Sequence, residues 1–120
     1  MTMQNAFDDL QKKAAGMLAA NPGITQVIAV QTASGNIHGI LNDQVTVGNY
    51  QAEEAFLADL ANNGDTHVLY IVALWSNGQP DLPSFHFRNG LAALDSRNRD
   101  TLLLLRDRDG DHCRLLLSTL

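Results

Sequence analysis

Cysteine is nearly absent: the 120 residues contain one, Cys113. A lone thiol cannot close a disulfide within the chain, and a reducing cytoplasm is the expected setting. Basic residues are scarce as well, eight against thirteen acidic ones, for a net charge of −5. That balance provides no electrostatic footprint on a phosphate backbone and excludes nucleic-acid binding as the main activity. Long hydrophobic runs are missing. The longest, Val68 to Trp75, is far short of the roughly 20 apolar residues that span a bilayer, so no membrane association is expected. The opening "MTMQNAFDDLQKK" is polar and amphipathic and lacks the apolar segment of a signal peptide. What is present suffices for a core: 45% of the residues are hydrophobic, enough for one domain over 1–120 without covalent staples.

Phe7, Leu10, Ala14, Met17 and Leu18 recur at three- and four-residue steps and predict a helix stopped by "NPG" at 21–23. "ITQVIAVQT" reads as a strand rich in β-branched residues, and "ASG" at 33–35 turns it into "NIHGIL", a hairpin. The polar connection "NDQVTVGN" leads to a second helix, "QAEEAFLADL", ended by "ANNG" with Gly64 at the left-handed cap. "HVLYIVALW" is continuously apolar, as in a central strand covered on both faces. After a "SNGQPDLP" loop, Ser84 is a plausible N-cap for a helix carrying Phe87, Leu91 and Leu94 at i, i+4 and i+7. "TLLLL" and "HCRLLLSTL" are strands joined through Asp109-Gly110, a tight-turn pair. The order α-β-β-α-β-α-β-β predicts an α/β fold of three α-β-α layers with a mixed five-stranded sheet. A right-handed parallel βαβ unit is expected around the third helix, and an antiparallel last pair.

This order, with its local strings, resembles the cytidine deaminase family, and its antiparallel last hairpin resembles the free-nucleoside branch. In that family a [His/Cys]-Ala-Glu turn opens the second helix and a Pro-Cys-x-x-Cys turn opens the third, and the two helix starts hold zinc. Gln51-Ala52-Glu53 lies at the first place and Pro83-Ser84-Phe85-His86-Phe87-Arg88 at the second; "GLAALDSRNRDTLLLLRDRDGD" continues the likeness. Asn42-Asp43-Gln44 falls near the family's ribose-holding Asn-x-Glu, with Gln44 where a Glu is expected.

Carried over residue by residue, the resemblance puts Gln51, Ser84 and Phe87 at the three zinc-ligand positions and Glu53 at the proton-shuttling carboxylate. Zinc takes thiolate or imidazole donors; an amide and a hydroxyl are poor substitutes and a phenyl ring offers none. The resemblance therefore implies a catalytically inactive domain with no zinc cofactor. It would act as a small-ligand-binding or protein-assembly module. Asn42, Gln44, Glu53, His86 and Arg88 are the candidate ligand-binding residues, a nucleoside-like molecule the candidate ligand, and a homo-oligomer (dimer or tetramer, as in the family) the expected assembly, with Leu115 to Leu117 a candidate contact.

Each residue also has a plainer reading. Glu53 suits the first turn of any helix, where the backbone dipole favours a carboxylate, and Glu54 is solvated. Phe87 fills the former metal cavity with apolar volume, while Arg88 lies on the surface or pairs with Glu53 or an anion. His38, His67, His86 and His112 sit on separate elements without metal-binding spacing; a relocated site would combine His86 with His112 and Cys113. Adjacent on one strand, His112 and Cys113 point to opposite faces, and Cys113 reads as a small buried hydrophobe. Asp107, Asp109 and Asp111 lack the downstream Glu of a calcium loop and read as a charged hairpin turn. "GNIHG" has no helix after it and no phosphate-loop lysine, so it does not suggest nucleotide binding.

Two rivals remain. "LAANPGITQVIAVQTASGNI" resembles the opening of roadblock-type domains, so a roadblock- or longin-like regulatory platform would lead if 84–94 were extended. An enzyme with a relocated site would need Glu53 and a histidine to converge as acid and base.

Overall fold

In a computed structural model the described residues are 3–42, 51–80, 82–106 and 112–116, with side chains described for 6–42, 51–80 and 82–104. The helix α1 covers Met3–Ala20, followed by the strands β1 (Gln26–Thr32) and β2 (Ile37–Asn42). Then come α2 (Gln51–Asn62), β3 (Val68–Trp75), α3 (Phe85–Leu94), a 3-10 turn at Ser96–Asp100, β4 (Leu102–Arg106) and β5 (His112–Leu116). The sequence periodicity gave every one of these elements except the 3-10 turn. That turn is set by a cap: the Asp95 carboxylate accepts from the Arg97 backbone N–H at 3.0 Å.

The five strands lie in the order β2-β1-β3-β4-β5. β1 pairs antiparallel with both β2 and β3, β3 runs parallel to β4, and β4 pairs antiparallel with β5. The sheet is thus mixed, and β3 → α3 → β4 is the expected parallel crossover. The turn at Asp109-Gly110 and the charged stretch 107–111 lie outside the described residues, as do the connection 43–50 and the side chains of His112, Cys113 and Leu115 to Leu117.

Alternation along the strands divides the core into two layers. Val27, Ala29, Val72, Leu74 and Leu104 face α1 and pack against Phe7, Leu10 and Ala14; Met17 and Leu18 complete that helix face. Ile28, Val30, Ile40, Ile71, Ala73 and Leu103 face the opposite way, against Phe56 and Leu60 of α2 and Phe87 and Leu91 of α3. Both faces of β1 and β3 are covered, which is why β3 reads as an unbroken apolar run and β1 has an apolar centre, Val27 to Val30. Gly64, at φ 65, ends α2 in the left-handed conformation, and its successor Asp65 donates its N–H to the Leu60 carbonyl at 3.0 Å.

Residues 85–94 are helical, so the condition under which a roadblock- or longin-like platform would lead is not met. The helix forms because Ser84 caps it, its hydroxyl accepting from the Phe87 N–H at 3.1 Å, and because Phe87 and Leu91 bury its inner face.

Candidate functional site

The α2 and α3 N-termini lie side by side at the end of the sheet where β2 finishes. Glu53, in the first turn of α2, is only 2% exposed. A helix dipole alone would leave a first-turn acid in solvent; burial of a carboxyl group demands partners. Two are present. Ser84 Oγ donates to Glu53 Oε2 at 2.5 Å and Asn42 Nδ2 donates to Glu53 Oε1 at 3.3 Å. The same Asn42 amide lies 3.4 Å from Gln26 Oε1, and Gln26 Nε2 donates to the Leu82 carbonyl at 3.4 Å. Buried Gln26 and Asn42 on neighbouring strands thus tie the carboxylate to the loop before α3. Ser84 serves two helices at once, capping α3 while holding the acid of α2.

Around this polar chain the other sequence-selected residues separate. Gln51 is exposed to solvent at the start of α2. Phe87 is fully buried, its ring stacked on Phe56 at 5.9 Å and 20°. Arg88 does not meet Glu53: its guanidinium lies over the Phe85 ring, 5.8 Å from the centroid, and its Nε is buried without a hydrogen bond among the described residues. Phe85 itself is 70% exposed. His86 lies 3.2 Å from Glu54 Oε1, where both side chains are well exposed and the pairing is weak. Gln44 lies outside the described residues.

His38 stands apart, in a cluster the sequence reading missed. Asp65, just past the end of α2, accepts from His38 Nε2 (2.8 Å), Ser34 Oγ (2.8 Å), Thr32 Oγ1 (2.9 Å) and Asn36 Nδ2 (3.2 Å). The hydrogen bond from His38 does most to hold the Asp65 carboxyl well below the usual carboxylate range. Ser34, Thr32 and Asn36 add to it, and burial opposes it. The one sequence signal was a polar residue at every second position of 32–38 around the hairpin turn.

A zinc ion does not fit the described residues of the helix starts. Gln51 would bring an exposed amide, the Ser84 hydroxyl is engaged with Glu53, and the Phe87 ring has no donor and lies in the core. Among the described residues no three His, Cys, Asp or Glu side chains come together as a metal-binding group. The relocated set of His86, His112 and Cys113 includes two side chains outside the described residues.

No protein-family profile matches the chain, and no curated protein matches it by sequence. Solved structures do match in shape. Cytidine deaminase from Mycobacterium leprae superposes with a TM-score of 0.69 at 17% identity, over 94% of each chain. Cytidine deaminase from Burkholderia pseudomallei gives 0.66 at 17% identity, over 99% of this chain and 95% of that one. The Bacillus anthracis enzyme gives 0.66 at 10% identity, over 93% and 84%. Across nearly its whole length, then, this chain has the cytidine deaminase-like fold.

Proposed function

We propose that the protein is a catalytically inactive domain of this fold, spanning 1–120 in the cytoplasm. Its role is to bind a small molecule or support an assembly rather than to deaminate a nucleoside. The observation that carries this reading is the 2.5 Å hydrogen bond from Ser84 to Glu53. Hydrolytic deamination needs a metal to bring its bound water towards a neutral pKa, and a carboxylate free to shuttle the proton. Here Glu53 is committed to Ser84 and Asn42, and the Phe87 ring is buried in the core, stacked on Phe56. Among the described residues, the helix starts bring together no donor set that would make water a nucleophile.

The same arrangement supports recognition. Glu53 and Asn42, bonded to each other, form a fixed polar floor beneath the helix starts, where a heterocyclic or nucleoside-like ligand would enter. His86, Arg88 and Gln44 are the residues to test around it. A homo-oligomer accords with this role, and the net charge of −5 argues against nucleic acid as a partner.

Elemental mass spectrometry of untagged protein purified without chelator, paired with a cytidine deamination assay, tests the proposal. Less than about a tenth of a zinc equivalent per chain and no uridine formed are expected. About one tightly held equivalent with turnover refutes the proposal and makes His86, His112 and Cys113 the ligands to mutate. Gln51→His, Ser84→Cys and Phe87→Cys together should raise zinc uptake towards one equivalent, since they restore three suitable donors at the helix starts.

A further inference from the structure

We infer that the free edge of β2 is the surface on which two copies of this chain join, strand to strand, around a two-fold axis at Gly39. Among the described residues β2 ends the sheet, and its own sequence carries none of the charges, prolines or bulges that keep edges unpaired. Ile37–Asn42 contains no lysine, arginine, carboxylate or proline, and it pairs with β1 residue for residue without a bulge.

The hairpin fixes which groups point outward. The Thr32 N–H donates to the Asn36 carbonyl at 3.0 Å, so the hydrogen-bonded pairs with β1 fall on His38, Ile40 and Asn42. Ile37, Gly39 and Leu41 turn their N–H and C=O groups to the open side. Ile37 and Leu41 are also 41% and 40% exposed, an unusual degree for large apolar side chains in this protein. They lie on the sheet face covered by α1, because a Cβ on Gly39 between them would come 2.8 Å from Met17 Sδ.

This pattern complements itself. An axis through Gly39 and normal to the sheet sets Gly39 opposite Gly39 of the second copy and Ile37 opposite Leu41 of the second copy. All outward residues then fall in hydrogen-bonded pairs, about six bonds in all. A slip by one residue would face outward groups with inward ones. Beside Leu41, a cavity of about 430 Å3 is lined by Ala20, Asn21, Pro22, Gly23 and Ile24, and Ile37 of the second copy would lie at its mouth. Charge points to the same face. Two copies at −5 each repel, whereas the β2 edge and this groove bring no charge of either sign together. A standard interface takes about 800 Å2 from each partner, roughly an eighth of this chain's 6496 Å2. Six residues at about 3.4 Å each make an edge about 20 Å long, so the strand alone falls short of that area, and the groove and the main-chain bonds carry the rest of the contact.

Sedimentation velocity over about 1–100 µM tests the inference, independently of the reading of the helix starts. The wild-type chain is expected at twice 13.1 kDa. Ile37→Lys with Leu41→Lys should give the 13.1 kDa monomer with unchanged far-UV circular dichroism. Ile37→Cys with Leu41→Cys, in a Cys113→Ala background, should yield a disulfide-linked dimer on mild oxidation. Directly opposed residues lie about 5.5 Å apart at Cα, within disulfide reach. A monomeric wild type, a dimer that survives both lysines, or a dimer that the paired cysteines fail to cross-link would each overturn the inference.

Discussion

Ser84→Ala isolates the junction between the two helix starts. The substitution deletes one hydroxyl and with it two interactions: the 2.5 Å bond to Glu53 and the cap on the Phe87 N–H. Removing a partner from a buried polar group costs about 1–3 kcal/mol, and losing an N-cap serine costs about 1 kcal/mol. Glu53 is 2% exposed and cannot recover the lost bond from bulk solvent, so the cost should fall near 3 kcal/mol. Unfolding entropy of about 2.1 cal/mol/K per residue over 120 residues gives about 250 cal/mol/K, and 3 kcal/mol then lowers the melting temperature by about 12 °C. Calorimetry and urea titration at neutral pH read this directly. Glu53→Gln in the same background separates the two parts. It should recover much of the loss if the bare carboxylate dominates, and little if the cap does. A Ser84→Ala protein within about 0.5 kcal/mol of wild type would refute the junction as a source of stability.

Asp65→Ala should destabilise the hairpin against α2 by about 1–2 kcal/mol, since four donors lose a partly exposed acceptor; urea midpoints check it. Because the folded carboxyl is held below its ordinary value, its contribution is complete above about pH 4, where the unfolded group is also ionised, and declines as pH falls further. Wild type should therefore lose more stability than Asp65→Asn between pH 5 and pH 2.5, roughly spanning that window; equal losses would refute the linkage. Asn98→Ala should cost about 3 kcal/mol in chemical denaturation, since the buried amide donates to the Thr66 and Leu91 carbonyls and accepts from the Val68 N–H. A Cβ on Gly90 would lie 2.5 Å from Leu57 Cδ1, the end of a flexible side chain that can turn aside, while replacing a helix-interior glycine by alanine gains about 1 kcal/mol. Gly90→Ala should therefore stay within about 1 kcal/mol of wild type, and Leu57→Ala alongside it should bring out the helix gain in a double-mutant cycle.

The sequence by itself determined the elements and their order. Phe7, Leu10 and Ala14 at helical steps, the unbroken run of β3 and the Ser84 cap are signals between neighbours in the chain, where backbone geometry converts spacing directly into structure. It also placed chemically interesting letters at the two helix starts, through the resemblance of Gln51-Ala52-Glu53 and the Pro83 to Arg88 stretch. What those letters do to one another only the tertiary structure decided. Ser84 and Glu53 are 31 residues apart, Asn42 and Gln26 are 16 apart, and Asp65 gathers donors 27 to 33 residues away. No local pattern announces such pairings, because they follow from which strand lies beside which and how far a side chain reaches. Glu53 could not be told from a solvated first-turn acid until β2 and the loop before α3 closed over it. Gln26 gave no sign of its role, because a glutamine in an apolar strand finds its partner only across the sheet. Sequence set the frame and the candidates; burial and distance chose among them, since a carboxylate is costly inside a protein until particular donors arrive to meet it.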